Sequence, residues 1–116
     1  MRRNLIQNIH TVNDEYSTVH KLEKGKWKIL LDGSLNEVFY QLPIPVDGTQ
    51  LLCICSNDTN ATHVQANANG SIDGDETLTI DLMHKGFSAE LWAFGGVWKM
   101  LNYIPVAFTD AIRDPL

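Results

Sequence analysis

The stretch "FSAELWAFGGVWKMLN", residues 87–102, predicts a β-hairpin and places it in a sheet. Gly95-Gly96 suits a two-residue type I′ loop, because both central residues of that loop need a positive φ. With this loop Phe94 pairs with Val97, Trp92 pairs with Lys99, and alternation divides the hairpin into two faces. The apolar face is predicted to lie in the core, and it consists of Ala89, Leu91, Ala93, Trp98 and Met100.

The opposite face of the hairpin mixes charged side chains with large apolar ones. Its members are Glu90, Trp92, Phe94, Val97, Lys99 and Leu101. Lys99 lies across from Trp92, where a cation–π contact contributes about 0.5–1 kcal/mol if exposed. A solvent face does not require four apolar side chains, each worth roughly 1.5–3 kcal/mol on burial. We therefore expect another part of the structure to cover these side chains, with the second sheet slightly favoured over a neighbouring subunit. This assignment depends on the loop length, since a longer loop would shift the register and invert the two faces.

Period-two alternation continues along most of the chain and predicts further strands. Alternation places Trp27, Ile29 and Leu31 on one face of a strand, Val38, Tyr40 and Leu42 on one face of the next, and Thr62, Val64, Ala66 and Ala68 on one face of another. Leu78, Ile80 and Leu82 are predicted to point inward. The run "QLLCICS" is apolar on both faces, with Leu51, Cys53 and Cys55 against Leu52 and Ile54, which suits a central strand covered on two sides. Turn signals separate these runs, and Asp32-Gly33 reads as a hairpin turn. Strands at this spacing indicate an all-β protein, an antiparallel β-sandwich or barrel of about seven strands with an N-terminal arm.

The chain divides into an N-terminal arm, one β domain and a C-terminal tail. The arm is residues 1–16, the β-sandwich domain 17–104 and the tail 105–116. The arm is predicted to be loosely ordered, a half-turn of helix, or an extended segment that pairs with a partner. A length of 116 residues suits a single core.

Composition excludes several functional classes. The net charge is -5 and the longest basic run is Arg2-Arg3, so no nucleic-acid surface is expected. Apolar runs are too short for a membrane helix, and no export signal is visible. Cys53 and Cys55 point to one face of a strand, where i, i+2 geometry does not favour a disulfide. We expect both thiols to be buried and reduced, as in a cytoplasmic protein.

No motif in the sequence identifies a particular reaction. The acidic loop 69–76 starts like a calcium loop, but Ile80 stands where a bidentate Glu would be needed, so a turn with exposed acids is favoured over a loose cation site. The four histidines lack the spacing of a metal pair. We expect no enzyme activity, no catalytic residue, no cofactor and no metal.

Three segments resemble small β domains from virions of tailed bacteriophages, namely head decoration proteins and tail-fibre modules. They are "LPIPVDGTQLLCI", "SIDGDETLTI" and "KGFSAELWAFGGVWKMLN", which fall within residues 38–104. The features that resemble this family are Ile72-Asp73-Gly74 before a Thr-alternating strand, Gly86-Phe87-Ser88, and Gly95-Gly96-Val97-Trp98 in the closing hairpin. The N-terminal arm and the cysteine pair depart from the family's pattern.

The resemblance implies a non-enzymatic virion protein, commonly trimeric, assembled in the host cytoplasm. The leading expectation is a capsid decoration or cementing protein that binds assembled capsomers, the major capsid protein or another virion protein. The expected interface is Trp92, Phe94, Val97, Lys99 and Leu101, together with Arg2 and Arg3 of the arm. The alternatives are a tail-fibre or receptor-binding module recognising a host-surface glycan, and a bacterial carbohydrate-binding or adaptor module. Head or tail location, host and capsid type stay open.

Overall fold

The computed structural model describes residues 8–18, 24–66, 72–74 and 78–104, without the side chains of residues 17 and 18. These residues contain nine strands and no helix. The strands are β1 (Asn8–Val12), β2 (Tyr16–Thr18), β3 (Gly25–Asp32), β4 (Val38–Gln41), β5 (Thr49–Asn57), β6 (Thr62–Gln65), β7 (Thr79–Leu82), β8 (Ser88–Phe94) and β9 (Val97–Ile104). The described residues include no helix long and apolar enough to cross a membrane.

The strands form two sheets that are not closed into a barrel, so the predicted all-β sandwich is confirmed. The five-stranded sheet has the order β1-β3-β5-β8-β9, and the four-stranded sheet has the order β2-β4-β6-β7. Within the described segments, the predicted inward residues Ile80 and Leu82 and one alternating face of β3, β4, β5 and β6 fill the space between the sheets. Ala68 lies outside these segments, and Leu78, Trp27, Ala66 and Met100 are only partly buried against the core.

The pairing within the sheets differs from the predicted antiparallel arrangement. Strands β1 to β6 alternate between the two sheets, and each strand from β3 to β6 pairs in parallel with the strand two before it. Only β5 with β8, β6 with β7, and β8 with β9 are antiparallel. The first six strands are therefore three turns of a two-sheet solenoid, which the C-terminal strands close.

Two sequence-based boundaries change as a result. Asp32-Gly33 does not form a hairpin, because β3 and β4 lie in different sheets and this turn carries the chain between them. The predicted arm, residues 1–16, is not wholly separate from the domain, since residues 8–12 form β1 and pair with β3. Residues 1–7 and the predicted tail, 105–116, lie outside the described residues.

Both cysteines are buried and free, as predicted from the alternation of β5. Burial raises the pKa of the Cys53 thiol to about 12, and it also raises the pKa of Cys55. A thiol must lose its proton to act as a nucleophile. Neither cysteine is therefore placed to react at neutral pH, and both act as small apolar residues of the core.

Tyr40 is fully buried, and its hydroxyl group has no hydrogen-bond partner among the described residues. A buried hydroxyl without a partner costs about 1–3 kcal/mol. Tyr40→Phe is therefore expected to raise the free energy of unfolding by about 1 kcal/mol, measured by urea denaturation. Burial also raises the pKa of Tyr40, because the folded protein favours the neutral phenol over the phenolate. The free energy of unfolding is therefore unaffected by ionisation of this group below pH 10.0, its ordinary pKa, and falls at higher pH, where the unfolded chain ionises first. The variant should lose less stability than the wild type above that pH. A variant less stable than the wild type would indicate a hydrogen bond to the hydroxyl group.

Candidate functional site

The C-terminal hairpin has the register predicted from Gly95-Gly96. Phe94 pairs with Val97, Ala93 with Trp98, and the pairing continues to Leu91 and Met100. Both glycines have a positive φ, 66° and 80°, as a type I′ loop requires. The inward face carries fully buried residues on both strands, and Trp98 is among them. The hairpin therefore has the two faces that the predicted register gives, and its mixed face points away from the core.

Trp92 and Phe94 are neighbours on this outward face. Their rings stack with centroids 5.3 Å apart and an interplanar angle of 29°. Phe94 is 55% exposed and Leu101 is 52% exposed, while Trp92 and Val97 are half-buried. Leu101 lies at a register shift between β8 and β9, so it has no direct partner on β8. The five predicted interface residues of the hairpin thus lie together, and two of them expose large apolar surfaces.

The apolar character of the hairpin extends across the whole five-stranded sheet. Outward positions on the neighbouring strands align with those of β8, since Gln50 pairs with Trp92 and Leu52 pairs with Glu90. We call this surface the apolar face. Its apolar members are Ile9, Leu30, Leu52, Ile54, Trp92, Phe94, Val97, Leu101 and Ile104.

The expectation that the second sheet covers these side chains is wrong for the described residues. The four-stranded sheet packs against the opposite, inward side, where Trp98 and Leu91 are fully buried. Sheets pack through one face each, so the second sheet cannot also reach Phe94. Arg2 and Arg3 lie outside the described residues. An apolar face of this extent on a small protein is typical of an interaction site.

The apolar face is also basic. Lys26, Lys28 and Lys99 lie at outward positions of β3 and β9, and Glu90 on β8 is the acid between them. Within the described parts of the chain, ion pairs involve only histidines, so no described acid pairs with these lysines. This local excess of positive charge contrasts with the net charge of -5 for the whole chain. An acidic or apolar partner surface is therefore the best match for the face.

The outward face of the four-stranded sheet carries a ladder of flat side chains. Tyr16, Phe39 and His63 occupy aligned positions, with ring centroids 5.4 Å and 4.5 Å apart in successive pairs. The His63 ring also lies between two carboxylates, with Nδ1 at 2.7 Å from Asp81 and Nε2 at 2.7 Å from Glu37. Sequence reasoning missed this ladder. The signal was the recurrence of a planar ring after 23 and then 24 residues.

The ladder continues as amide contacts one position further along the strands. Gln41 donates a hydrogen bond to the side chain of Gln65, and Gln65 donates to Thr79 at 3.4 Å. Each of these side chains is engaged by its neighbour in the ladder. The outward face of the four-stranded sheet is therefore internally satisfied, unlike the apolar face.

The acidic loop is used structurally where it is described. Ile72 is fully buried and forms a parallel bridge with Trp98. Asp73 accepts a hydrogen bond from the backbone N–H of Met100 at 3.2 Å, and its own N–H donates to the carbonyl of Trp98 at 2.7 Å. This segment pairs with the outer edge of β9. Residues 69–71, 75 and 76 of the predicted loop lie outside the described residues.

The described residues bring together no group of three or more side chains suited to hold a metal ion. Comparison with known proteins gave no match among protein families, curated proteins or solved structures. The apolar face is therefore the best candidate functional site, and its chemistry is that of association with another surface.

Proposed function

We propose that this chain is a structural assembly protein that associates with other protein surfaces through its apolar face. The observation that carries the proposal is the exposure of Phe94 and Leu101 beside the half-buried Trp92, with no cover from any described segment. Burial of such a side chain contributes roughly 1.5–3 kcal/mol. Several together give a contact enough free energy to offset the cost of association.

The face has the features of a protein interface. Protein interfaces combine aromatic anchors near their centre with a polar rim. Trp92 and Phe94 supply the anchors, and Lys26 and Lys99 supply charges around them. The excess of lysine favours a partner with an acidic surface. Because identical lysine clusters repel each other, a trimer would have to join this face to a different surface of the next copy.

In its specific form, the proposal is that the protein decorates and cements the capsid of a tailed bacteriophage as a homotrimer. This form rests on the resemblance of the segments "SIDGDETLTI" and "KGFSAELWAFGGVWKMLN" to virion β domains. The described contacts add that the first segment bridges the hairpin through Ile72 and Trp98, so the two segments form one unit. Decoration predicts binding to assembled capsids in preference to isolated capsid subunits, and a higher capsid melting temperature.

A second candidate function is recognition of a glycan by a tail fibre or a bacterial binding module. The observation that favours it is the stacked pair Trp92 and Phe94, because an exposed aromatic ring can pack on a sugar ring. A glycan array separates the two candidates. A specific hit that Trp92→Ala abolishes supports recognition, whereas signal at background supports assembly.

The first test of the apolar face is the mass in solution measured by sedimentation. Through this face alone, we expect about three times the 13.0 kDa of one chain at micromolar concentration. Phe94→Asp places a charge where an apolar contact is buried, and we expect it to weaken association at least about tenfold while the protein stays folded. Leu35→Asp is the matched control, since Leu35 is exposed on the β3–β4 turn, away from the face.

The variants also distinguish the face from the core. If Phe94→Asp unfolds the monomer, another part of the chain covers Phe94. If the wild type sediments as a monomer, or if Phe94→Asp leaves the mass unchanged, self-association through this face is wrong. Unchanged mass with Leu35→Asp is required in every case.

A further inference from the structure

The two ends of the solenoid are closed differently. At the C-terminal end, β7 pairs antiparallel to β6, β8 pairs antiparallel to β5, and Ile72 bridges the outer side of β9. β7 is the outermost strand of its sheet at this end, and it carries the charged residue Asp81. At the N-terminal end, β1 and β2 are the outermost strands of their sheets. No described residue pairs with the outer edge of either strand. Solenoids require a cap at each end, because an open end exposes the backbone groups that bond successive turns.

These two edges lack the usual protection against pairing. An edge strand is normally blunted by charged side chains, proline or a bulge. The sequences of β1 and β2, "NIHTV" and "YST", contain neither a Lys, Arg, Asp or Glu residue nor a proline. Both strands follow their neighbours without a register shift. The edges therefore present alternating N–H and C=O groups in a geometry suited to a further strand.

Side chains at this end are also suited to contact. Tyr16 stacks on Phe39 with one side of its ring, and at 68% exposure the other side is open among the described residues. Ile9 on β1 is 49% exposed. An added strand would extend the ring ladder at Tyr16 and would cover apolar surface at Ile9. The backbone edge and the side chains thus point to the same kind of partner.

We propose that the N-terminal end of the solenoid pairs with the same end of a second copy of this chain about a two-fold axis. A two-fold axis perpendicular to the sheets makes β1 antiparallel to the partner's β1 and β2 antiparallel to the partner's β2 at once. A strand edge is self-complementary, as a two-fold contact requires. Both sheets then continue across the contact, and all four open edges become paired.

The charges around this end agree with a two-fold contact. Glu15 lies beyond the carboxyl end of β1, in its connection to β2, while Lys24 lies at the opposite end, just before β3. A two-fold axis through the middle of β1 brings the acidic end of each copy to the lysine end of the other. A parallel arrangement would bring like charges together instead.

The contact uses the backbone edges of β1 and β2, and it does not depend on the proposed function. The apolar face is centred on β8 and β9 at the other end of the five-stranded sheet, and Ile9 is the residue that belongs to both surfaces. A trimer formed through the face would become a hexamer through this contact. Phe94→Asp acts on the face alone and Tyr16→Lys acts on the edge alone, so the two proposals fail independently.

The test combines sedimentation with backbone amide hydrogen exchange on the full chain. In the double variant Ile9→Lys and Tyr16→Lys, each edge strand carries a lysine that lies diagonally across the axis from its symmetry mate, where the two like charges repel. We expect this variant to stay folded and its assembly mass to fall to half that of the wild type. The matched control is Leu35→Lys with Met83→Lys, which are exposed apolar positions on turns, and its mass should not change.

Hydrogen exchange reports on the edge itself. Successive N–H groups along a strand point to opposite sides, so in a chain with an open edge about half of the amides of β1 exchange rapidly. In the paired state we expect every amide of residues 9–12 to be protected, and dilution to monomer to release alternate ones. Alternate fast exchange in the assembled protein would overturn the proposal. Full protection that persists in the monomer would also overturn it, because the edge would then be covered within one chain.

Discussion

Trp98→Ala is expected to lower the free energy of unfolding by about 3–5 kcal/mol, the range for removal of a buried aromatic side chain. Trp98 has no exposed surface and is the largest side chain of the core. Its indole N–H donates to the carbonyl oxygen of Pro43 at 2.9 Å, and its backbone bridges Ile72. The residue therefore connects the closing hairpin to the β4–β5 connection and to the acidic loop. Urea denaturation followed by circular dichroism measures the effect.

Two further variants make the Trp98 prediction interpretable. Trp98→Phe keeps most of the apolar contact but removes the donor to Pro43, and we expect a loss of about 1–3 kcal/mol in a protein that still folds. Trp92→Ala is the matched control on the same hairpin, because Trp92 faces outward and is only half-buried. It should change stability by about 1 kcal/mol or less. Similar losses for Trp92→Ala and Trp98→Ala would contradict the assignment of the two hairpin faces.

The sequence predicts the hairpin well because the information is local. Gly95-Gly96 determines the loop, the loop determines the register, and the register assigns Trp98 to the core and Phe94 to the outside. Period-two alternation likewise separated the two faces of β3 and β4, but it left β5 apolar on both faces. Neither signal depends on which strand pairs with which, so both survive a mistaken topology.

The parallel topology could not be read from the same signals. In the register between β3 and β5 most partners are 24 residues apart, as in Trp27 with Leu51 and Ile29 with Cys53. The paired residues share only an inward orientation, and that orientation is the same in parallel and antiparallel sheets. The alternation of apolar residues does not show which sheet the next strand along the chain belongs to. The signal that sequence reasoning missed was the recurrence of a planar ring after 23 and then 24 residues, at Tyr16, Phe39 and His63.

The candidate face was predicted in part. The hairpin residues were identified, but their extension over Leu30, Leu52 and Ile54 was not, because both faces of β5 are apolar and suggested a strand covered on two sides. The structure covers only the inward face of β5 with described residues. A strand apolar on both faces in a two-layer protein thus indicates either a third layer or a partner.

Gly33→Ala is expected to lower the free energy of unfolding by about 3 kcal/mol or more. Gly33 also explains why Asp32-Gly33 was wrongly predicted to form a hairpin turn. Asp32-Gly33 suggested a hairpin that needs a positive φ, but Gly33 is not among the glycines with positive φ. Glycine is needed at this position because the neighbouring backbone leaves no room for a side chain. A Cβ atom here would overlap the carbonyl oxygen of Asn60 and would lie 2.9 Å from that of Asn57.

Neither carbonyl group can move away at low cost. Gly33 donates its N–H to the Asn57 carbonyl at 2.9 Å, and its own carbonyl accepts from the backbone and side-chain nitrogens of Asn60 at 2.9 and 2.7 Å. These bonds join the β3–β4 turn to the β5–β6 turn in the next coil of the solenoid. A shift that accommodates a methyl group would stretch several of them at once. The clash therefore acts on the stacking of successive coils as well as on one turn.

Gly86→Ala is the matched control for this prediction. Gly86 has a φ of 94°, yet a Cβ atom there would meet nothing within 4 Å, so its cost is conformational only, about 1–2 kcal/mol. Denaturation midpoints of the two variants measured side by side give the comparison. Gly33→Ala must be the more damaging of the two, since overlap with hydrogen-bonded backbone outweighs an unfavourable φ. The opposite order would mean that the turns of neighbouring coils are not held by Gly33.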